Sequence, residues 1–233
     1  MAYQTLLFDI DDTLLDFGAS EEASLALMFK HFGLNLTDEI KERYEVINQN
    51  LWRQFERREI DRQTIFQRRF PELFQEFQLA DTTAGLQAEA VYREGLNHGH
   101  QQVPQAQALL QQLSQLPQLQ LYIVSNGVAK TQNMRLQDSG FAPYFKQVFV
   151  SEAVGYQKPD VRFFDSVANN ITNFDKNKTL IIGDSLTSDI QGGVNAGIDT
   201  VWYNPQHLTT TTVQPTYQIS ELLSLLKLVE QSA

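Results

Sequence analysis

The feature that most constrains the fold is a series of five short apolar segments spread along the chain. Each segment is nearly continuous in apolar residues, whereas strands with one solvated face alternate apolar and polar residues. Continuous runs are typical of strands buried on both faces of a parallel sheet. Helical patterns between the later segments predict an α/β fold with a doubly wound, Rossmann-like parallel sheet. The predicted strands are TLLFDI from Thr5, LQLYIVS from Leu119, QVFVS from Gln147, TLIIGD from Thr179 and TVWYN from Thr200.

A long segment without a convincing strand separates the first predicted strand from the second. It runs from about residue 17 to residue 99, and its apolar residues recur at helical spacing. A segment of this length is far longer than a crossover connection needs. We therefore predict a core domain formed by residues 1–16 and 100–233, with a helical domain of residues 17–99 inserted after strand 1.

Four helices are expected in the inserted segment. Thr37 is placed to cap the second helix. The third is expected to be bent or interrupted near Pro71, and Leu86 and Ala90 indicate the fourth. The mixed charges of residues 55–69 are expected to form a solvated helix face with ion pairs four residues apart.

Composition excludes several classes of protein. The formal net charge is −10 and the isoelectric point is about 4.8, which disfavours nucleic acid as a partner because its binding relies on clustered Lys and Arg. A small anionic substrate stays possible, because one site can be positive on an acidic protein. The chain has no cysteine, so disulfides and thiolate zinc sites are excluded. No segment is typical of a signal peptide or a membrane helix, so we expect a cytoplasmic protein with no membrane partner.

Polar motifs follow four of the predicted strands. The letters DIDDT follow the first, SNG the second and GDS the fourth, while KPD lies in the loop after the third. The carboxyl ends of parallel strands share one edge of the sheet, where ligands bind in such folds. We therefore expect six residues to converge there: Asp9, Asp11, Ser125, Lys158, Asp184 and Asp189.

This predicted cluster has an uncompensated negative charge, because four carboxylates surround one lysine. Two like charges about 4 Å apart repel by roughly 4 kcal/mol at an effective dielectric constant near 20. A divalent cation would offset this repulsion, and a ligand set made only of oxygen atoms indicates Mg²⁺ rather than zinc. Mg²⁺ and Lys158 together would attract a phosphate group.

The four motifs resemble the signatures of the haloacid dehalogenase superfamily of phosphohydrolases. They match in order and across almost the whole chain: DxDxT at residues 9–13, then Ser125, Lys158, and the pair Asp184 and Asp189. The inserted helical segment resembles the cap domain of that superfamily. Longer stretches are similar to the pyrimidine 5′-nucleotidase subfamily, which acts on nucleoside monophosphates: LLFDIDDTLLDF, INQNLWRQFE, LYIVSNG, VSEAVGYQKP and LIIGDSLTSDIQGG.

The resemblance implies a phosphomonoester hydrolase with Asp9, Asp11 and Lys158 as its catalytic residues. Asp9 would attack phosphorus and form an aspartyl-phosphate. Asp11 would protonate the leaving alcohol and then deprotonate the water that hydrolyses the intermediate. Phosphate oxygens would be held by Ser125 and Lys158, with help from backbone N–H groups near Asn126.

The resemblance also implies how Mg²⁺ would be bound. Its ligands would be the carboxylates of Asp9 and Asp184 and the backbone carbonyl of Asp11. Asp189 would bind the ion through water or support the other ligands.

Two alternative functions are weighed against the nucleotidase. A sugar-phosphate phosphatase or mutase of the same superfamily would share every catalytic residue, so the core motifs do not exclude it. A phospho-receiver module would also use aspartates, Mg²⁺ and a lysine, but it is disfavoured because it carries no helical domain of this size. The sequence leaves the choice between monomer and homo-oligomer open.

Overall fold

A computed structural model describes residues 3–79, 82–209 and 213–231 of the chain. The chain divides into two units, one formed by Met1–Phe17 with His100–Ala233 and the other by Gly18–Gly99. Within the described ranges, every helix is too short or too polar to cross a membrane.

The larger unit contains a six-stranded parallel sheet with the strand order β3-β2-β1-β4-β5-β6. All five predicted strands are present, which confirms the α/β fold class. The sixth, at the edge, was not predicted, because three residues do not stand out from the loop before them. The strands are β1 Thr5–Phe8, β2 Gln120–Ser125, β3 Gln147–Val150, β4 Thr179–Gly183, β5 Asp199–Tyr203 and β6 Tyr217–Ile219.

Helices cover both faces of this sheet, which explains the continuous apolar runs of the strands. Leu6 and Phe8 of β1 belong to one buried cluster, and Leu7 between them belongs to another, together with Phe163 and Val167. Successive side chains of a strand point to opposite faces, so a strand covered on both sides is apolar at most of its positions. The helices of this unit are α5 Ala106–Leu113, α6 Ala129–Asp138, α7 Ser151–Val154, α8 Val161–Asn169, α9 Gln191–Ala196 and α10 Ser224–Gln231.

The inserted segment forms four helices: α1 Phe17–His31, α2 Asp38–Glu56, α3 Arg62–Glu76 and α4 Thr82–Asn97. Thr37 caps α2 as predicted, because its hydroxyl accepts a hydrogen bond from the Ile40 N–H at 3.3 Å. Helix α3 is continuous through Pro71, so of the two predicted outcomes, a bend or an interruption, the interruption does not occur. Phe70 and Phe74 beside the proline are fully buried, and their packing offsets the backbone hydrogen bond that proline removes.

The fourth helix is present, but the residues that indicated it are not its buried face. Leu86 and Ala90 are exposed, whereas Ala88, Tyr92 and Leu96 are buried. These buried residues are spaced four apart and so lie along one side of the helix.

A buried ion pair joins α3 to α4. The guanidinium of Arg69 donates to both carboxylate oxygens of Glu89 at 2.7 Å, and it lies over the ring of Tyr92 at 4.5 Å. Its neighbour Arg68 instead forms an exposed pair with Glu72. The mixed-charge segment is therefore only partly the solvated face that we expected, since Arg69 is turned into the helical unit.

We expect Arg69→Met to lower the free energy of unfolding by about 3 kcal/mol, because it removes a cation from a buried carboxylate. Arg68→Met is the matched control, because its exposed ion pair contributes about 1 kcal/mol or less. Urea unfolding of both variants measures the difference. If the two substitutions lower the free energy of unfolding equally, the buried ion pair contributes no more to stability than the exposed one, and the prediction is wrong.

Candidate functional site

The candidate site lies in the larger unit, at the carboxyl edge of the sheet. The order of strands reverses beside β1, because the chain continues to β2 on one side and later returns to β4 on the other. Such a reversal opens a crevice at the ends of the strands, where ligands bind in open α/β sheets. Asp9 follows β1, Ser125 ends β2, and Asp184 follows β4.

Lys158 is the centre of the site. Its Nζ donates to Asp9 Oδ1 at 2.7 Å, to Asp189 Oδ1 at 2.5 Å and to the backbone oxygen of Val124 at 2.7 Å. These bonds use the three protons of an ammonium group, which is fully buried here. Burial disfavours the charged form of Lys158, but the adjacent Asp189 and Asp9 more than offset this, so its pKa lies above the ordinary value.

Three carboxylates form an acidic cluster around this lysine. Asp9, Asp184 and Asp189 each place one oxygen within 4.8 Å of the others. Burial raises the pKa of Asp9 to about 8; the charge of Lys158 opposes this shift, and the charges of Asp189 and Asp11 add to it. Burial, together with the negative charges of Asp189 and Asp9, also raises the pKa of Asp184 well above its usual range. One lysine therefore does not neutralise the cluster.

The position of Asp189 depends on a glycine at the end of β4. A π-helical turn, Leu186–Ile190, brings the Asp189 carboxylate back over Gly183, where a Cβ atom would lie 2.2 Å from its Oδ2. The same oxygen accepts a hydrogen bond from the Ser185 N–H at 3.1 Å. The glycine of the fourth motif therefore has a steric origin, because a side chain at residue 183 would meet the Asp189 carboxylate.

Asp11 lies beside this cluster and contacts helix α6. Its Oδ1 accepts a hydrogen bond from Arg135, and its Oδ2 accepts one from Gln132 Nε2 at 2.7 Å. The sequence reasoning missed both α6 residues. Their spacing of three residues, on a helix that begins two residues after the SNG motif, is the signal that could have indicated a shared inward face.

The two residues after β2 have different partners. Ser125 Oγ accepts hydrogen bonds from the Gly127 N–H at 3.1 Å and from Gln132 Nε2 at 2.9 Å. The side chain of Asn126 bonds the backbone of Lys158 twice: Oδ1 accepts from its N–H at 2.8 Å, and Nδ2 donates to its carbonyl at 2.9 Å. Asn126 therefore fixes the loop that carries the lysine.

The remaining residues of the first motif have local contacts. Thr13 is buried, and its hydroxyl donates to Asp184 Oδ1 at 3.4 Å. Asp12 has a left-handed backbone with φ of 55°, and its Oδ1 accepts from the Phe17 N–H at 2.9 Å at the start of α1. Asp12 therefore serves the turn after β1.

The chain matches the family model described as haloacid dehalogenase-like hydrolase over residues 3–197. It is 46% identical to the HAD-hydrolase YfnB of Bacillus subtilis, over 96% of this chain and 94% of that protein. It is 42% identical to the pyrimidine 5′-nucleotidase PynA of Streptococcus pneumoniae, over 100% of this chain and 97% of that protein.

A further relative is the pyrimidine 5′-nucleotidase YjjG of Escherichia coli, which is 29% identical over 98% of this chain and 99% of that protein. Among solved structures, YfnB of Bacillus subtilis bound to magnesium superposes with a TM-score of 0.93. It is 44% identical, covering 99% of this chain and 100% of that one. The motifs, the sheet and these similarities agree, and the chain belongs to the haloacid dehalogenase-like hydrolase family.

Proposed function

We propose that the protein is a Mg²⁺-dependent phosphomonoester hydrolase that forms an aspartyl-phosphate on Asp9, acting as a 5′-nucleotidase on pyrimidine nucleoside monophosphates. The observation that carries the proposal is the buried contact of Asp9 with Lys158, inside a cluster of three carboxylates. The names of the relatives PynA and YjjG, whose similarity covers nearly the whole chain, support the substrate class.

The acidic cluster fits a magnesium ion. Its donors are all carboxylate oxygens, which Mg²⁺ prefers. The pKa of Asp9 is raised first by burial and then by the charges of Asp189 and Asp11, and a bound cation would favour its ionised form. Asp9, Asp184 and the backbone carbonyl of Asp11 would hold the ion. Both oxygens of Asp189 already accept hydrogen bonds, which favours a supporting role or a contact through water. When bound, Mg²⁺ would supply positive charge next to the phosphate oxygens.

In the first step, a carboxylate oxygen of Asp9 attacks phosphorus while the bond from phosphorus to the alcohol oxygen breaks. The alcohol leaves with a proton from Asp11, which lies two residues after Asp9 at the same strand end. In the second step, Asp11 takes a proton from water, and the water oxygen attacks phosphorus. Asp9 is released as a carboxylate, and inorganic phosphate is the product.

The phosphate would be held by Ser125, Lys158 and backbone N–H groups near Asn126. A hydroxyl that accepts two hydrogen bonds, as Ser125 does, still has its own proton to donate to a phosphate oxygen. Lys158 would stabilise negative charge on Asp9 and on the phosphoryl group. Asn126 would contribute by holding the Lys158 backbone rather than through its own amide.

Replacing the proposed nucleophile tests the mechanism. We expect Asp9→Asn to lower kcat by at least ~10³-fold, because an amide cannot form the phosphorylated intermediate. Release of inorganic phosphate from p-nitrophenyl phosphate with Mg²⁺ measures the loss. Asp12→Asn is the matched control and should keep most activity, because an asparagine oxygen can still cap α1 and tolerates the left-handed backbone. Substantial hydrolysis by Asp9→Asn without Mg²⁺ would contradict the proposal.

The acidic cluster also predicts a dependence of stability on pH. Folded Asp9 keeps its proton up to a pKa of about 8, against 3.8 for the ordinary group, so between these values the folded state binds more protons than the unfolded state. With metal removed by a chelator, the free energy of unfolding should fall as pH rises through this window. The slope is at most about 1.4 kcal/mol per pH unit for each such carboxyl group.

Urea unfolding at several pH values, with chelator or with millimolar Mg²⁺, measures this effect. The cation binds the ionised cluster, so Mg²⁺ should reduce the loss of stability toward pH 8. Asp9→Asn removes one titrating group and should flatten the curve of the metal-free protein. A metal-free protein whose stability rises between pH 5 and 8, in place of the fall expected for a raised pKa, would contradict this account of the cluster.

The substrate class is tested with a panel of phosphate esters. We expect pyrimidine nucleoside 5′-monophosphates to exceed sugar phosphates in kcat/KM by at least about tenfold, which is ~1.4 kcal/mol of transition-state binding. Steady-state release of phosphate from each ester measures the ratio. If sugar phosphates are preferred by the same margin, the protein is a sugar-phosphate phosphatase or mutase with the same catalytic residues.

A further inference from the structure

Helix α6 presents two buried polar side chains to Asp11, and neither has a part in the reaction described above. Arg135 donates Nη1 to Asp11 Oδ1, and Gln132 donates Nε2 to Asp11 Oδ2 at 2.7 Å. Arg135 Nη1 also donates to Gln132 Oε1 at 3.0 Å. The three side chains form a closed ring of hydrogen bonds in which each carboxylate oxygen of Asp11 has its own donor.

The ring is anchored from the interior of the protein. The Arg135 side chain is 1% exposed and Gln132 is buried, whereas the Asp11 side chain is 31% exposed. Gly127 leaves room for the amide, since a Cβ atom there would lie 2.5 Å from Gln132 Nε2. The buried donors therefore have a fixed place, and the carboxylate that they hold keeps part of its surface accessible.

Gln132 extends the ring to a second group of the site. Its Nε2 donates both to Asp11 Oδ2 and to Ser125 Oγ, the latter at 2.9 Å. The Gln132 amide thus sets the distance between the Asp11 carboxylate, which is expected to carry the proton, and the Ser125 hydroxyl, which is expected to hold the phosphate.

We propose that Arg135 and Gln132 are positioning residues, which hold the Asp11 carboxylate in the orientation that transfers a proton to the leaving oxygen. The proposal rests on the proposed function, because it assigns these residues to the proton transfer of that reaction. A general acid acts only within about 2.6–3.2 Å of the atom that it protonates. A carboxylate held on both oxygens by directional, charge-assisted bonds loses the rotation that would carry it out of that range.

The leaving group distinguishes this role from a structural one. p-Nitrophenolate leaves readily without a proton, whereas the ribose 5′-oxygen of a nucleotide needs one. The ratio kcat/KM reports steps up to the departure of the leaving group, so it is not affected by the later hydrolysis, in which Asp11 acts as a base. A misplaced Asp11 should therefore impair hydrolysis of UMP far more than hydrolysis of p-nitrophenyl phosphate.

We expect Arg135→Met to lower kcat/KM for UMP by ~10²-fold, and that for p-nitrophenyl phosphate by less than ~5-fold, in line with the usual contribution of a general acid. Arg135→Lys keeps the positive charge but lacks the planar guanidinium group, so its kcat/KM for UMP should lie between those of Arg135→Met and the unsubstituted protein. Ser125→Ala should lower both values to a similar extent, because phosphate binding does not depend on the leaving group. Arg162→Met, at an exposed arginine in the same unit, should change neither.

Equal losses of kcat/KM on the two substrates in the Arg135 variants would overturn the proposal and leave a structural role only. Unchanged values on both would overturn it too. If Arg135→Met does not fold, Arg135→Lys and Gln132→Leu test the same ratio, since each weakens the hold on one carboxylate oxygen. If the unsubstituted protein shows no Mg²⁺-dependent hydrolysis of either substrate, the proposed function itself is overturned. Because this assay uses no variant, its failure is separate from a failure of the proposal on Arg135 and Gln132.

Discussion

The site depends on burying a lysine ammonium group among carboxylates at the end of a sheet. A buried cation costs several kcal/mol unless every proton has a partner. Lys158 obtains its partners from three places: Asp9 after β1, the Val124 carbonyl in β2, and Asp189 in the turn after β4. One ammonium group therefore joins the ends of three strands. The excess of negative charge that remains is the reason why the same place suits a divalent cation.

The sheet and most of the site could be predicted because both depend on local sequence. Strands buried on two faces are apolar at most positions, so they stand out from the rest of the chain. A polar residue directly after such a strand lies at the carboxyl edge of the sheet, and this position does not depend on how the strands are connected. This argument reached Asp9, Asp11, Ser125 and Asp184 without any knowledge of contacts, and Lys158 was indicated by its place in the loop after the third strand.

The residues that could not be predicted are polar side chains inside helices. Gln132, Arg135 and Arg69 all occur in stretches rich in polar residues, where a solvated helix face is the ordinary interpretation. Each is buried because a partner from another element meets it, and nothing in the local pattern records that partner. The buried face of α4 could not be predicted either. Leu86 is exposed although it is as apolar as the residues of α4 that are buried, so the local pattern does not distinguish them.

The place of β1 in the sheet has a consequence for the order of folding. This strand is made first, yet Thr5 pairs with Gln120 on one side and with Thr179 on the other. Contacts between such distant residues close long loops, and chains that depend on them fold slowly. Strand β1 therefore cannot be paired on both edges until β4 has been made, and a fragment that ends before β4 lacks two of the three carboxylates of the acidic cluster, Asp184 and Asp189.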